Sequence, residues 1–206
     1  SLPKTFRQAI EVCRQMNVSY IWIDSLCIFR DKDDLEDWNA QSSLMGKIYS
    51  SVLFNIAATR ASDSTVGLQF QRNTLARVAF TIKFSDLVRN SNNMDGDGQF
   101  VWHVNLDLLN KRAWVVQEHF LSRRIMHFTS VGVCWECFRG KCIIQLGWNP
   151  ELYDSWSHLL AYYTMCSLTF ESDKLVALNG ISELLAQRTW DYFFCGLWKQ
   201  HLIPQL

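Results

Sequence analysis

Tyr20-Ile21-Trp22-Ile23-Asp24-Ser25-Leu26-Cys27-Ile28 is the stretch on which the fold class turns. Its first four residues are β-branched or aromatic, and the apolar run is too short and too sharply ended for a helix. It reads as a buried strand stopped by Asp24. In an open α/β sheet, a polar residue at the carboxyl end of such a strand faces the crevice where ligands bind. Asp24 and the thiol of Cys27 are therefore the first candidate catalytic groups. The same pattern also fits an Asp24 that caps the next turn and a Cys27 that is an ordinary buried thiol.

Working outward, Phe6, Ala9, Ile10 and Cys13 recur at helical spacing before the strand. After it, Asp31, Asp33 and Asp34 lead into a helix with the apolar stripe Leu35, Trp38, Met45 and Tyr49. Acids there suit the positive end of the helix dipole and need no metal. Val52 to Ala58 is the next apolar strand. Strand–helix–strand alternation with short connections predicts an α/β fold: a mainly parallel central sheet flanked by helices. Strands are also expected over Leu75 to Phe84 and Gln99 to Val104, around a solvated polar turn at residues 90–98. Lys111 to Leu121 reads as a helix. An antiparallel hairpin of Arg124–Phe128 and Val131–Phe138 turns at Thr129-Ser130. Helices are expected over Leu152 to Met165, over Asp173 to Gln187 with a cap at Ser172-Asp173, and from Trp190 onward. With no repeat or low-complexity linker, residues 1–206 read as one domain: an α/β part over 1–74, a β-rich part with one helix over 75–140, and a helical part over 141–206.

Composition narrows the function classes. Hydrophobic residues make up 49% and charged residues 19% of 206, which marks a folded globular chain. Lys plus Arg equals Asp plus Glu at 20 each, so no net charge draws the chain to nucleic acid. No run of about eighteen apolar residues offers a membrane span. Ser1-Leu2-Pro3-Lys4-Thr5 reads as a helix start rather than a secretory leader. Seven cysteines, an odd number with no framework spacing, fit reduced thiols in the cytoplasm. Nine Trp and thirteen Phe suggest a thick aromatic core or a ring-lined pocket, and for a pocket Trp22, Trp38, Trp114 and Trp135 with Gln41 are the candidate binding side chains.

Two constellations carry further chemistry. Cys134-Trp135-Glu136-Cys137 has C-x-x-C spacing with Cys142 beyond it. Residues three apart on a strand face opposite sides, so no metal ligand set is expected. Arg112-Ala113-Trp114-Val115-Val116-Gln117-Glu118-His119 presents an amide, an acid and an imidazole in succession. Gln117, Glu118 and His119 are candidate catalytic residues, although neighbours on a helix diverge by about 100 degrees, and the pattern fits slightly better a Trp114 in the core with the polar residues tying helix to sheet. A Cys27 nucleophile would need a base such as His103, His119, His127 or His158. The common nucleotide and hydrolase loops are missing, and no cofactor is expected.

Several blocks in order resemble the fungal heterokaryon-incompatibility (HET) domain. Leu2-Pro3-Lys4-Thr5-Phe6 with Ala9-Ile10 is similar to the family's LPxTφxxAI helix, and Tyr20 to Ile28 to its YxWIDxLCI strand. Asp37-Trp38 with Met45 and Ile48-Tyr49 resembles DWxxExxxMxxIY. Arg112 to Glu118 resembles RxWxxQE, and Trp135-Glu136-Cys137 is its WEC. The resemblance implies a fungal intracellular domain of non-self recognition and cell death, distantly related to Toll/interleukin-1-receptor (TIR) domains. A roughly YxxLSYxWG strand opens the family, and this sequence starts after it. Gln41 stands at the acid of the third block, and His119 where an Arg commonly follows QE. Three functions follow as expectations. The first is a signalling domain acting through self-association, as a homo-oligomer, or through a protein partner. The alternative is a cofactor-independent cyclase or isomerase on an apolar small molecule of terpene or polyketide metabolism, promoting for instance a Diels–Alder cycloaddition. TIR-like NAD hydrolysis comes third, because an amide at Gln41 cannot ionise.

Overall fold

The computed structural model describes residues 1–30, 35–68, 108–129, 132–137 and 150–201. The acids at Asp31, Asp33 and Asp34, the strands expected over 75–84 and 99–104, the polar turn between them, His103 and Cys142 lie outside the described residues.

Helix α1 (Lys4–Gln15) forms as its periodicity predicts and buries Ala9 and Cys13. The stretch after it does not become a strand. Ile23 has extended angles (φ −128°, ψ 114°), as its β-branched side chain favours. Yet no described strand pairs with residues 20–23, and Tyr20 is 91% exposed. Intrinsic preference sets the angles, but a strand needs a ladder partner. Asp24 instead opens a single helical turn, α2 (Asp24–Cys27), in which Ile23 O accepts from both Leu26 N and Cys27 N. The Asp24 carboxylate accepts from Ser25 N at 2.7 Å, the local bond by which aspartate competes with extended structure.

Helix α3 (Glu36–Ser51) carries Met45 and Tyr49 into the core. Strand β1 (Asn55–Ala57) follows, then, beyond a 3₁₀ turn at Leu108–Lys111, helix α4 (Ala113–Leu121) and the hairpin β2 (Arg124–Phe128) and β3 (Val133–Cys137). The described sheet has the order β1-β2-β3. β1 runs parallel to β2, and β2 antiparallel to β3 with Ile125 opposite Glu136 and His127 opposite Cys134. The molecule is thus a mixture of helix and strand with one parallel pair, and the mainly parallel sheet expected from the strand–helix alternation is not seen among the described residues. The stretch that was to supply its neighbouring strand has no partner among the described residues.

Helices α5 (Pro150–Thr164) and α6 (Val176–Thr189) follow the hairpin. Ser172-Asp173 does not cap α6. Those residues form a 3₁₀ turn, and Asp173 turns inward to Arg30. The helix expected from Trp190 is also replaced. Trp190 ends α6 in the left-handed region, and Cys195 and Gly196, both at positive φ, turn a short hairpin, β4 (Phe193–Phe194) with β5 (Leu197–Trp198). Two successive positive φ values match the right-handed twist of paired strands. The buried Asp191 holds this end by accepting from Tyr153 Oη at 2.9 Å and Tyr192 N at 2.7 Å.

The main core joins Met45 and Tyr49 of α3, Val116 and Leu121 of α4, Tyr153 and Trp156 of α5, Leu178, Ile181 and Leu185 of α6, and Trp198. Helices α3 and α6 meet at glycines: a Cβ on Gly46 would stand 2.7 Å from Gly180 Cα. Gly46→Ala is expected to force the backbones apart. Overpacking costs about 1–3 kcal/mol and outweighs the roughly 1 kcal/mol that alanine gains in helix preference. A fall in the thermal midpoint followed by circular dichroism checks this; a midpoint at or above wild type would show that the helices separate freely.

Candidate functional site

A cleft of about 710 Å³ runs between α1, the residue 20–25 stretch, the end of α3 with β1, and α4. Its walls are largely apolar, with Phe6, Ile21, Trp22, Phe54 and Ile125 among them. Two polar clusters interrupt these walls. They owe their separation to the helix period, since the adjacent Glu118 and His119 leave α4 about 100 degrees apart.

The first cluster is Asp24, Glu118, Arg112 and Tyr49, all lining the cleft. Burial is the main force on Glu118, and the nearby Asp24 charge adds to it. Arg112 and a hydrogen bond from Tyr49 pull the other way, and the carboxyl ends at about 7. Burial, together with the charges of Glu118 and Asp24, also keeps the Tyr49 phenol protonated well above its usual range. Two carboxyl groups near each other, one poised to exchange a proton near neutral pH, form an acid–base pair.

The second cluster is His119, His127 and Glu136. Both imidazole Nε2 atoms reach the same carboxylate oxygen, His119 at 2.9 Å and His127 at 2.8 Å from Glu136 Oε2. Alternation along the hairpin places Ile125, His127, Cys134 and Glu136 on one face, and that face is turned inward. Burial acts against the charge on Glu136, but the two histidines overcome it and hold the carboxyl at about 2. Burial lowers His127; at His119 it is overcome by the Glu136 carboxylate, so the proton is favoured on His119.

Of the residues singled out in the sequence, Asp24, Glu118, His119 and Trp22 meet in this cleft. Trp22 stands edge-on to Tyr49 at 5.7 Å. Cys27 is exposed at the end of α2 and is not among the lining residues. Gln117 is 1% exposed, and its Oε1 accepts from Gly180 N at 2.8 Å, which ties α4 to α6. Trp38 and Trp114 pack edge to face at 5.4 Å beside Arg30, away from the cleft. Trp135 packs at a tilt on Phe54 from the outer face of β3. Gln41 sits on α3 with its amide 3.5 Å from Asp37, again outside the cleft wall. His158 lies exposed on α5. Cys134 and Cys137 face opposite sides as the strand period requires, and burial raises the Cys134 thiol to about 11, the range of an unreactive thiol.

Sequence reasoning assigned no site role to Tyr49, Arg112 and Glu136, and named His127 only as one of four bases for Cys27. A signal for joining His127 to Glu136 was present: an acid and an imidazole on the inward-facing alternate positions of an otherwise apolar hairpin. Tyr49 looked like any core residue of the α3 stripe.

Among the described residues no helix is long and apolar enough to cross a membrane. A family model described as heterokaryon incompatibility protein (HET) matches residues 1–118. Comparison with curated proteins and with solved structures finds no match.

Proposed function

The chain belongs to the heterokaryon-incompatibility (HET) family, and from that premise we propose that it is a fungal cytoplasmic domain of non-self recognition whose cleft engages a small molecule through Asp24 and Glu118. The observation that carries this reading is spatial. Asp24 and Glu118 lie in separate motif blocks, 94 positions apart by their numbers (118 − 24), and line one cleft together. Groups that serve only their own helix ends have no need to converge on such a space. The pair supplies what proton transfer to a bound ligand requires, an acid and a base in one largely apolar cleft with Arg112 to balance charge. Self-association or a protein partner would then carry the signal onward.

Inducible expression in a filamentous fungus tests this. Growth arrest is expected with the wild-type chain and normal growth with Asp24→Asn or Glu118→Gln at equal protein level. Normal growth with the wild type at verified high expression would remove the signalling reading.

The apolar walls favour one further reading, a cofactor-independent cyclase or isomerase acting on an apolar small molecule. Such a reaction needs mainly orientation and a few hydrogen-bond donors, which Tyr49 and a protonated Glu118 supply. Trp22 in the wall gives a fluorescence report of binding. Neither quenching nor conversion with terpene and polyketide intermediates would dispose of it.

A further inference from the structure

We infer that His119, His127 and Glu136 form a binding site for a divalent first-row transition metal ion of the zinc class, reached from the cleft. The ligand atoms come from three elements, α4, β2 and β3, and all lie within 4.8 Å of one another.

The three side chains converge on one point, where both imidazole Nε2 atoms meet Glu136 Oε2. The buried Thr59 hydroxyl donates to Ala57 O at 3.2 Å, and its oxygen lies 3.4 Å from His127 Nδ1. Whether Ala57 O or His127 Nδ1 takes the single hydroxyl proton sets the His127 tautomer. With that proton on the carbonyl, Nε2 of a neutral His127 presents a lone pair toward Glu136 Oε2 at 2.8 Å, the form in which an imidazole ligates a metal. The same oxygen meets His119 Nε2 at 2.9 Å, while Glu136 Oε1 is buried and finds no donor among the described residues. A metal ion answers each of these at once: it takes both nitrogens and the carboxylate.

The donor set selects the ion. Two imidazoles with one carboxylate suit zinc and its neighbours, whereas magnesium and calcium take oxygen ligands. Three protein ligands leave a coordination position open, as in zinc sites that work on a substrate. His119 and His127 both line the cleft, so a ligand bound there can reach that position. Thr59, 3.4 Å from His127 Nδ1, stands where an outer-shell partner orients a ligating imidazole. Zinc bonds of about 2.0–2.2 Å in a tetrahedron place ligand atoms roughly 3.4 Å apart, so the imidazoles must retreat by about half an ångström. This inference is independent of the Asp24–Glu118 reading, because neither residue is a ligand and binding is measured without any activity.

Protein stripped with chelator and titrated with zinc chloride by calorimetry is expected to bind one equivalent and to give no heat with magnesium. His119→Ala, at a half-buried helix position, and Glu136→Gln are each expected to weaken zinc binding by about a hundredfold or more. Near-ultraviolet circular dichroism confirms that each variant is folded. Cobalt(II) in the wild-type chain gives a second readout that needs no variant: ligand-field bands in the visible without a thiolate charge-transfer band. Three outcomes would each overturn the inference: no binding, in which case a proton alone bridges the cluster; zinc affinity unchanged in both folded variants; or a thiolate band, which would place the metal on cysteines.

Discussion

Asp173→Ala is expected to destabilise the protein by about 3–5 kcal/mol, the range for removing one partner of a buried ion pair. Asp173 is 3% exposed and receives Arg30 through two parallel bonds, Nη1 to Oδ2 at 2.8 Å and Nη2 to Oδ1 at 3.0 Å. The guanidinium is held over the ring of Trp38 at 4.1 Å and the ring of Phe170 at 3.8 Å. Trp114 Nε1 adds a longer contact to Asp173 Oδ2 at 3.4 Å. One carboxylate therefore links the segment after α2, the tryptophan pair of α3 and α4, and the turn before α6. Alanine would leave a cation between two rings with no counter-charge. The double variant Arg30→Met with Asp173→Ala is expected to recover part of the loss, because the stranded charge goes too. Urea unfolding measures both. A loss below about 1 kcal/mol for the single variant would place the pair with exposed ion pairs, which contribute little.

Glu118→Gln is expected to stabilise the folded chain at neutral and alkaline pH while abolishing its proposed function. The sign follows from proton linkage. The folded carboxyl titrates near 7, above the usual range of an unfolded glutamate near 4.5, so the folded state binds more protons between those values. Stability from this group is fully present below the unfolded value and is lost as pH rises through the folded one. The loss amounts to about 3 kcal/mol at most above the window. Burial is the main cause, with Asp24 second, so an amide of the same shape removes the penalty. Unfolding free energies at pH 5 and pH 8, measured with chelator so that no metal contributes, are expected to differ less in the variant than in the wild type. An equal difference in both would mean that another group sets the pH dependence. A residue that costs stability where it stands is expected at sites kept for activity.

Much of the fold was legible because local rules suffice where the signal is periodic. Phe6, Ala9, Ile10 and Cys13 predict α1, and Met45 and Tyr49 predict the buried stripe of α3. Alternation predicts β2 and β3, whose strand period also separates Cys134 from Cys137. Reading failed where two local preferences competed and a distant partner decided. Tyr20 to Ile23 has the residues of a strand, and Ile23 has extended angles, but no ladder partner pairs with it among the described residues. Ser172-Asp173 has the residues of a cap, yet Asp173 bonds to Arg30, at sequence separation 143. The helix expected from Trp190 gives way to a hairpin, because Trp190 to Gly196 is poor in helix formers and the pair Cys195-Gly196 turns the chain.

The sequence by itself determined the family, the helices with clear periodicity and the residue types available for chemistry, because these depend on neighbours in the chain. It also marked Asp24, Glu118 and His119 as groups to locate. Only the tertiary structure decided that Asp24 meets Glu118 and that His119 meets His127 and Glu136, while Cys27 and Gln117 turn elsewhere. The first meeting joins segments far apart in the chain and the second depends on how α4 packs on the hairpin, and burial at Glu118 supplies the desolvation that moves a carboxyl from its ordinary value. A side chain's chemistry is written in the chain; its proton affinity and its partners come from packing.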